Sequence, residues 1–92
     1  MKYEIQRTSQ FKKDYKLAVK RGFKISLLKN IVALLADGKQ LPEKNKDHAL
    51  TGNWKGYREC HIEPDWILIY RIYEDKLLLS LTGTGTHSDY DF

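Results

Sequence analysis

Tyr3 and Ile5 alternate with polar neighbours across residues 2 to 7, the period-two pattern of a half-buried strand. Thr8 or Ser9 then offers a hydroxyl to cap a helix, and Phe11, Tyr15, Ala18 and Val19 recur at helical spacing. This stripe predicts an amphipathic helix ending near Gly22, with Lys12, Lys13, Lys16, Lys20 and Arg21 on its other faces. Leu27, Leu28, Ile31, Val32, Leu34 and Leu35 give a second helix a broad apolar face, and Asp37-Gly38 supplies its stop. The two helices are expected to form a hairpin.

Periodicity vanishes from Lys39 to Trp54, where Pro42, Gly52 and many polar residues predict a long loop. Alternation returns over Tyr57 to Ile62, with Cys60 and Ile62 on one face and Tyr57, Glu59 and His61 on the other. Glu63-Pro64-Asp65 reads as a turn, Trp66 to Tyr73 as a β-branched and aromatic strand, Glu74-Asp75 as a second turn, and Lys76 to Thr82 as a last strand. The glycine-rich tail from Gly83 onwards is expected to be loop or a short turn. The result is a single α+β domain over residues 1–92, ordered β-α-α-β-β-β. A helical hairpin covers one face of an antiparallel sheet and leaves the other face open.

Charge alters this picture. Residues 1 to 46 carry twelve Lys or Arg against four acids, and residues 47 to 92 carry four against eight, so the halves stand at +8 and −4. A basic half of this kind suits a polyanion such as RNA, or an acidic protein partner. The single cysteine, Cys60, excludes an intramolecular disulfide, and no apolar run approaches the length needed to cross a bilayer. Nothing at the N-terminus has the plan of a signal peptide, so a soluble, cytoplasmic protein with no membrane association is expected.

The chemistry-bearing residues concentrate between Asp47 and Trp66, which hold two of the three histidines and both tryptophans. If Glu74-Asp75 closes the last hairpin, Trp66 lies opposite Gly83 and His87 emerges beside Asp65, with His61 entering the same end of the sheet. His48, in the long loop, can fold over that end. Such a group of imidazoles and a carboxylate has three readings: a metal site, ordinary hydrogen-bonded surface residues, or general acid–base catalysis on RNA. The spacing fits no standard metal motif. For RNA chemistry, Lys55 and Arg58 would balance charge developing at phosphorus, and Trp66 and the terminal Phe92 would stack on bases. Cys60 shares the face of Ile62 and reads as packing.

Three segments carry a family likeness: Asp47-His48-Ala49-Leu50-x-Gly52-x-Trp54-Lys55, then Tyr57-Arg58-Glu59-Cys60-His61-Ile62-x-Pro64-Asp65-Trp66-Ile67-Leu68-Ile69-Tyr70, and Gly85-Thr86-His87-Ser88-Asp89. With them the whole chain resembles the YafQ branch of the RelE-like toxins of bacterial type II toxin-antitoxin systems. The resemblance implies the RelE-like microbial RNase fold and a ribosome-dependent mRNA endoribonuclease that enters the A site. It would use no cofactor or metal, and an acidic-tailed antitoxin of the DinJ or RelB kind would neutralise it. It puts the functional positions on His48, His61, Asp65, Trp66 and His87, with a C-terminal aromatic completing the site. Together with the cations read from the segment itself, catalysis is expected on His48, His61, Asp65 and His87, and substrate contacts on Lys55, Arg58, Trp66 and that aromatic. The family pattern ends with an aromatic four residues after the last histidine; here that position is Asp91, and Phe92 takes the role ahead of Tyr90. A rival class is a non-catalytic binding module of the same fold, acting through protein contacts or repressor assembly.

Overall fold

A computed structural model describes residues 1–90. Its elements are β1 (Glu4–Arg7), α1 (Ser9–Lys20), α2 (Ile25–Ala36), β2 (His48–Ala49), β3 (Arg58–Glu63), β4 (Trp66–Tyr73) and β5 (Leu78–Gly85), with 3-10 turns at Glu43–Asn45 and Gly52–Trp54. Thr8 caps α1 as its side chain accepts the Phe11 N–H at 3.0 Å. Gly22, at φ 78°, ends the helix in the left-handed region, and the Phe23 N–H reaches back to the Ala18 carbonyl. Phe11 and Ala18 are buried with Tyr15 against the core, whereas Val19, expected in the same stripe, is 53% exposed. Leu28, Ile31, Leu35 and Ala36 bury the inner face of α2.

The five strands lie in the order β1-β5-β4-β3-β2. β3, β4 and β5 form the expected antiparallel meander. β1, however, runs parallel to β5, so the sheet is mixed and not wholly antiparallel. Parallel neighbours require a long connection, which the helical hairpin and meander together provide. The helices cover one face, where Cys60, Leu68, Tyr70, Leu79 and Leu81 complete the core.

The hairpin between β4 and β5 departs from expectation in two ways. Its turn spans four residues, since Tyr73 pairs with Leu78, and a register shift between Ile69 and Tyr70 leaves Thr82 as an extra residue. Ile67 therefore faces Gly85, and β5 runs on through the glycines predicted to be loop. Nor is the second face fully open. Ile67 and Ile69 on that face are fully buried. A Cβ at Gly83, which pairs with Ile69, would collide with the Tyr90 hydroxyl. Tyr90 and Tyr57 both meet the Trp54 ring edge-on, and Arg71 lies over Tyr57 with its guanidinium carbon 5.3 Å from the ring centre. The tail and the turn before β3 thus roof part of the sheet.

Candidate functional site

Glu59 and His61 alternate onto this second face of β3. The long loop, instead of remaining irregular, contributes β2 as an edge strand that pairs His48 with Glu59, so both side chains share one face. Its geometry is set by the 3-10 turn at Glu43–Asn45, by Lys46 in the left-handed region, and by buried Asn45, whose amide donates to the His61 carbonyl at 2.8 Å. Beneath β2, Asp47 accepts hydrogen bonds from the Tyr70 hydroxyl and from Arg58 Nη2.

Glu59 is the centre of the resulting cluster. Its side chain is 5% exposed, and Oε1 lies 3.2 Å from His61 Nε2 and 4.0 Å from both His48 Nε2 and His87 Nε2. The His61 and His87 rings are 5.0 Å apart and inclined at 57°. A buried carboxylate of this kind needs charged or hydrogen-bonding partners, and three imidazoles surround it. Glu59 was not singled out from sequence; its alternation with His61 was the available signal.

Outer hydrogen bonds set the direction of two rings. His48 Nδ1 is 2.7 Å from the Lys46 carbonyl, so that nitrogen carries the proton and Nε2 faces Glu59. Asp65 Oδ1 accepts both the His87 backbone N–H at 3.0 Å and His87 Nδ1 at 2.8 Å. Those two hydrogen bonds, the backbone one foremost, hold the Asp65 carboxyl below its ordinary range. Asp65 therefore remains an acceptor, and His87 keeps Nε2 for exchange with whatever enters the site.

The predicted gathering of His48, His61, Asp65 and His87 is thus present, but the substrate-contact residues are placed differently. Trp66 is 2% exposed, packs its ring 5.0 Å from Phe23, and donates Nε1–H to Thr84 Oγ1 at 2.9 Å. It is a core residue with no face free for a base, because it shares strand parity with Leu68 and Tyr70. Arg58 lies on the opposite face of β3 from His61. Burial works against its charge, yet the hydrogen bonds with Asp47 and Tyr70 prevail and hold the guanidinium more firmly protonated than usual. It ties β3 to the β2 loop and does not reach toward the histidines. Lys55 is exposed in the turn after Trp54, and Phe92 lies outside the described residues. Cys60 is fully buried, and burial pushes its thiol up to about 12, so it is inert.

Glu59, His61 and His87 also present one ligand atom each within 4.8 Å of one another, an arrangement able to hold a transition-metal ion. No helix among the described residues is long and apolar enough to cross a membrane.

Comparison with known proteins shows the family and the fold. The family model described as "Bacterial toxin of type II toxin-antitoxin system, YafQ" matches residues 3–91. The mRNA interferase toxin YafQ of Escherichia coli K12 is 49% identical over 86 residues, which is 92% of this chain and 91% of the relative. The toxin in the crystal structure of the E. coli DinJ-YafQ toxin-antitoxin complex superposes with a TM-score of 0.89 at 44% identity, over all of both chains. A metal-bound toxin from Helicobacter pylori superposes with a TM-score of 0.91 at 40% identity, over 97% of this chain and 99% of that one.

Proposed function

Because the chain belongs to the YafQ family of bacterial type II toxins, we propose that it is a ribosome-dependent mRNA endoribonuclease working by metal-independent acid–base catalysis. The observation that carries this reading is the pair of imidazoles, His61 and His87, 5.0 Å apart with the Glu59 carboxylate beside both. One imidazole takes the proton of a ribose 2′-hydroxyl as it attacks the adjacent phosphorus, and the other gives a proton to the departing 5′-oxygen. The products are a 2′,3′-cyclic phosphate and a 5′-hydroxyl. Histidine performs both roles near neutral pH. Asp65 fixes the tautomer and direction of His87, Glu59 holds His61, and His48 closes the site from β2.

Charge at phosphorus is met by Lys55 and by the protonated imidazole, and Phe92 supplies the C-terminal aromatic surface. The exposed Lys12, Lys13, Lys16 and Lys20 of α1 suit ribosomal RNA phosphates. The ribosome presents the unstacked codon in its A site, which places the protein in the cytoplasm. A DinJ- or RelB-like antitoxin with an acidic segment is the neutralising partner, in keeping with the E. coli complex.

The test is end-mapping of mRNA in a translating extract. His87→Ala, with an unchanged melting curve, is expected to cut about 10²- to 10⁴-fold more slowly, the usual worth of a positioned proton donor or acceptor. Cutting at the wild-type rate refutes the assignment, and growth arrest surviving joint loss of His61 and His87 supports the non-catalytic alternative. A second reading rests on the ligand atoms of Glu59, His61 and His87 and on the metal-bound H. pylori relative. It requires cleavage to stop when metal is chelated; the acid–base reading requires cleavage to persist.

A further inference from the structure

We propose that Asp14 and Arg21, at the inner side of α1 and its end, are positioning residues that hold the C-terminal turn and so set the place of His87. The inference rests on the reading of His87 as a proton-transfer group and adds the device that keeps it in register with His61. The turn from Thr86 to Asp89 closes on itself: the Asp89 N–H donates to the Thr86 carbonyl at 3.1 Å, and the Thr86 N–H donates to Asp89 Oδ2 at 2.9 Å. The same Oδ2 accepts from Arg21 Nη1 at 2.7 Å, while Nη2 reaches Oδ1 at 3.4 Å. One carboxylate therefore both shapes the turn and fastens it to the helix.

Asp14 is the second anchor. Its Oδ2 accepts the Thr84 N–H at 3.1 Å and the Tyr90 hydroxyl, and its Oδ1 accepts from Gln10 at 2.9 Å. Asp14 and Arg21 are seven residues apart, two helical turns, and so project from one side of α1. They can reach the tail because β1 pairs with β5 only as far as Leu81. Beyond that point the β5 edge has no strand partner and α1 lies against it, with Thr8 bonding to the Leu81 and Thr82 carbonyls.

His87 thus sits between Thr84 and Tyr90, both held by Asp14, and next but one to Asp89, held by Arg21. Its own two bonds to Asp65 orient the ring, but they tie it to a side chain that is 68% exposed and lies on a turn, whereas Asp14 and Arg21 tie the tail to a helix. A cleft of about 410 Å³ lined by Gln10, Leu17, Arg21, Asp89 and Tyr90 lies between α1 and the tail, so on the helix side polar bonds hold the turn, while its other side packs closely on Gly83 and Gly85.

The test combines a structural and a kinetic readout on the intact chain. In Arg21→Ala and Asp14→Ala, checked for an intact fold, the nuclear Overhauser effect between the His61 and His87 ring protons should weaken. The catalytic rate kcat should fall about ten- to a hundredfold, the scale of a misplacement of about 1 Å, with KM unchanged. Arg21→Lys should restore most of both. Folded variants that keep the wild-type ring contact and kcat overturn the proposal, as does a rise in KM alone, which would make Arg21 a substrate contact. If the ring contact weakens but the wild-type protein itself cuts no mRNA, the positioning role stands and the proposed reaction fails.

Discussion

Replacing Trp66 with Phe separates a core residue from a base-stacking one. The indole ring is 2% exposed, and its Nε1–H donates to Thr84 Oγ1, which itself donates to the Ile67 carbonyl at 2.7 Å. Phenylalanine deletes that donor, at a net cost of about 0.5–1.5 kcal/mol, while Thr84 keeps its second bond and is not orphaned. The smaller ring also leaves space beside Phe23. Because truncation of a buried tryptophan to alanine costs about 3–5 kcal/mol, the partial truncation should cost about 1–2. The total of about 2.5 kcal/mol corresponds to a fall in Tm of roughly 10–20 °C for a domain of this size. Thermal denaturation followed by circular dichroism measures it, alongside mRNA cleavage well below the new Tm. Cleavage by the folded variant should remain within a few-fold of wild type. An unchanged Tm with a hundredfold loss of cleavage would refute the argument and return Trp66 to the substrate surface.

Gly83→Ala should destabilise the fold by about 1–3 kcal/mol, because the added methyl group would collide with the Tyr90 hydroxyl and lie 3.1 Å from Asp14 Oδ2. A second substitution, Tyr90→Phe, should recover part of the loss, and strict additivity of the two in thermal melts would sink the explanation. Leu77, half exposed at φ 49° in the hairpin turn, should be improved by Asn, which tolerates that conformation, for a gain of about 0.5–1 kcal/mol by chemical denaturation. In acid the tail should release first. Arg21 holds the Asp89 carboxyl well below its ordinary 3.8, and the hydrogen bonds from His87 lower that of Asp65. A depressed folded-state value gives stability that is complete above the unfolded value and lost as pH falls below it. The protection factors of the Thr86 and His87 amides, taken relative to intrinsic exchange at each pH, should therefore fall below about pH 4 while the β4 amides stay protected; equal protection at pH 6 and pH 2.5 would contradict this.

The helices, the meander and the convergence of His61, Asp65 and His87 were legible in the sequence, and the reasons are physical. Apolar spacing at 3.6 and 2.0 residues records which faces are buried, and a short hairpin fixes which ends meet. The register was less legible. A four-residue turn in place of two, together with the extra Thr82, shifts β5 by three positions, so Gly85 and not Gly83 is the last pairing partner near Trp66. Bulges arise from the local twist of a particular pair of strands and leave no composition signal. The same blind spot hid β2, whose two residues are too few for any periodicity.

Missing β2 is also why Glu59 escaped notice. On an edge strand a glutamate beside a histidine reads as solvent-facing, and only the strand that pairs His48 with it removes the carboxylate from water. The chemical character of the site follows from that burial. An exposed Glu59 would interact weakly with three scattered imidazoles, whereas a buried one, at 4% exposure, must be compensated by them and draws them together. The proposed catalytic grouping thus joins Glu59 and His61 of β3 to three short segments with little regular structure, namely the β2 loop, the turn before β4 and the tail. Each is fastened by its own acid: Asp47 to Arg58 and Tyr70, Asp65 to His87, and Asp89 to Arg21. The helices, which carry no residue of the proposed chemistry, enter it through the last of these and through Asp14, which holds Thr84 and Tyr90, and loosening either anchor should be felt at His87 before it is felt by the fold.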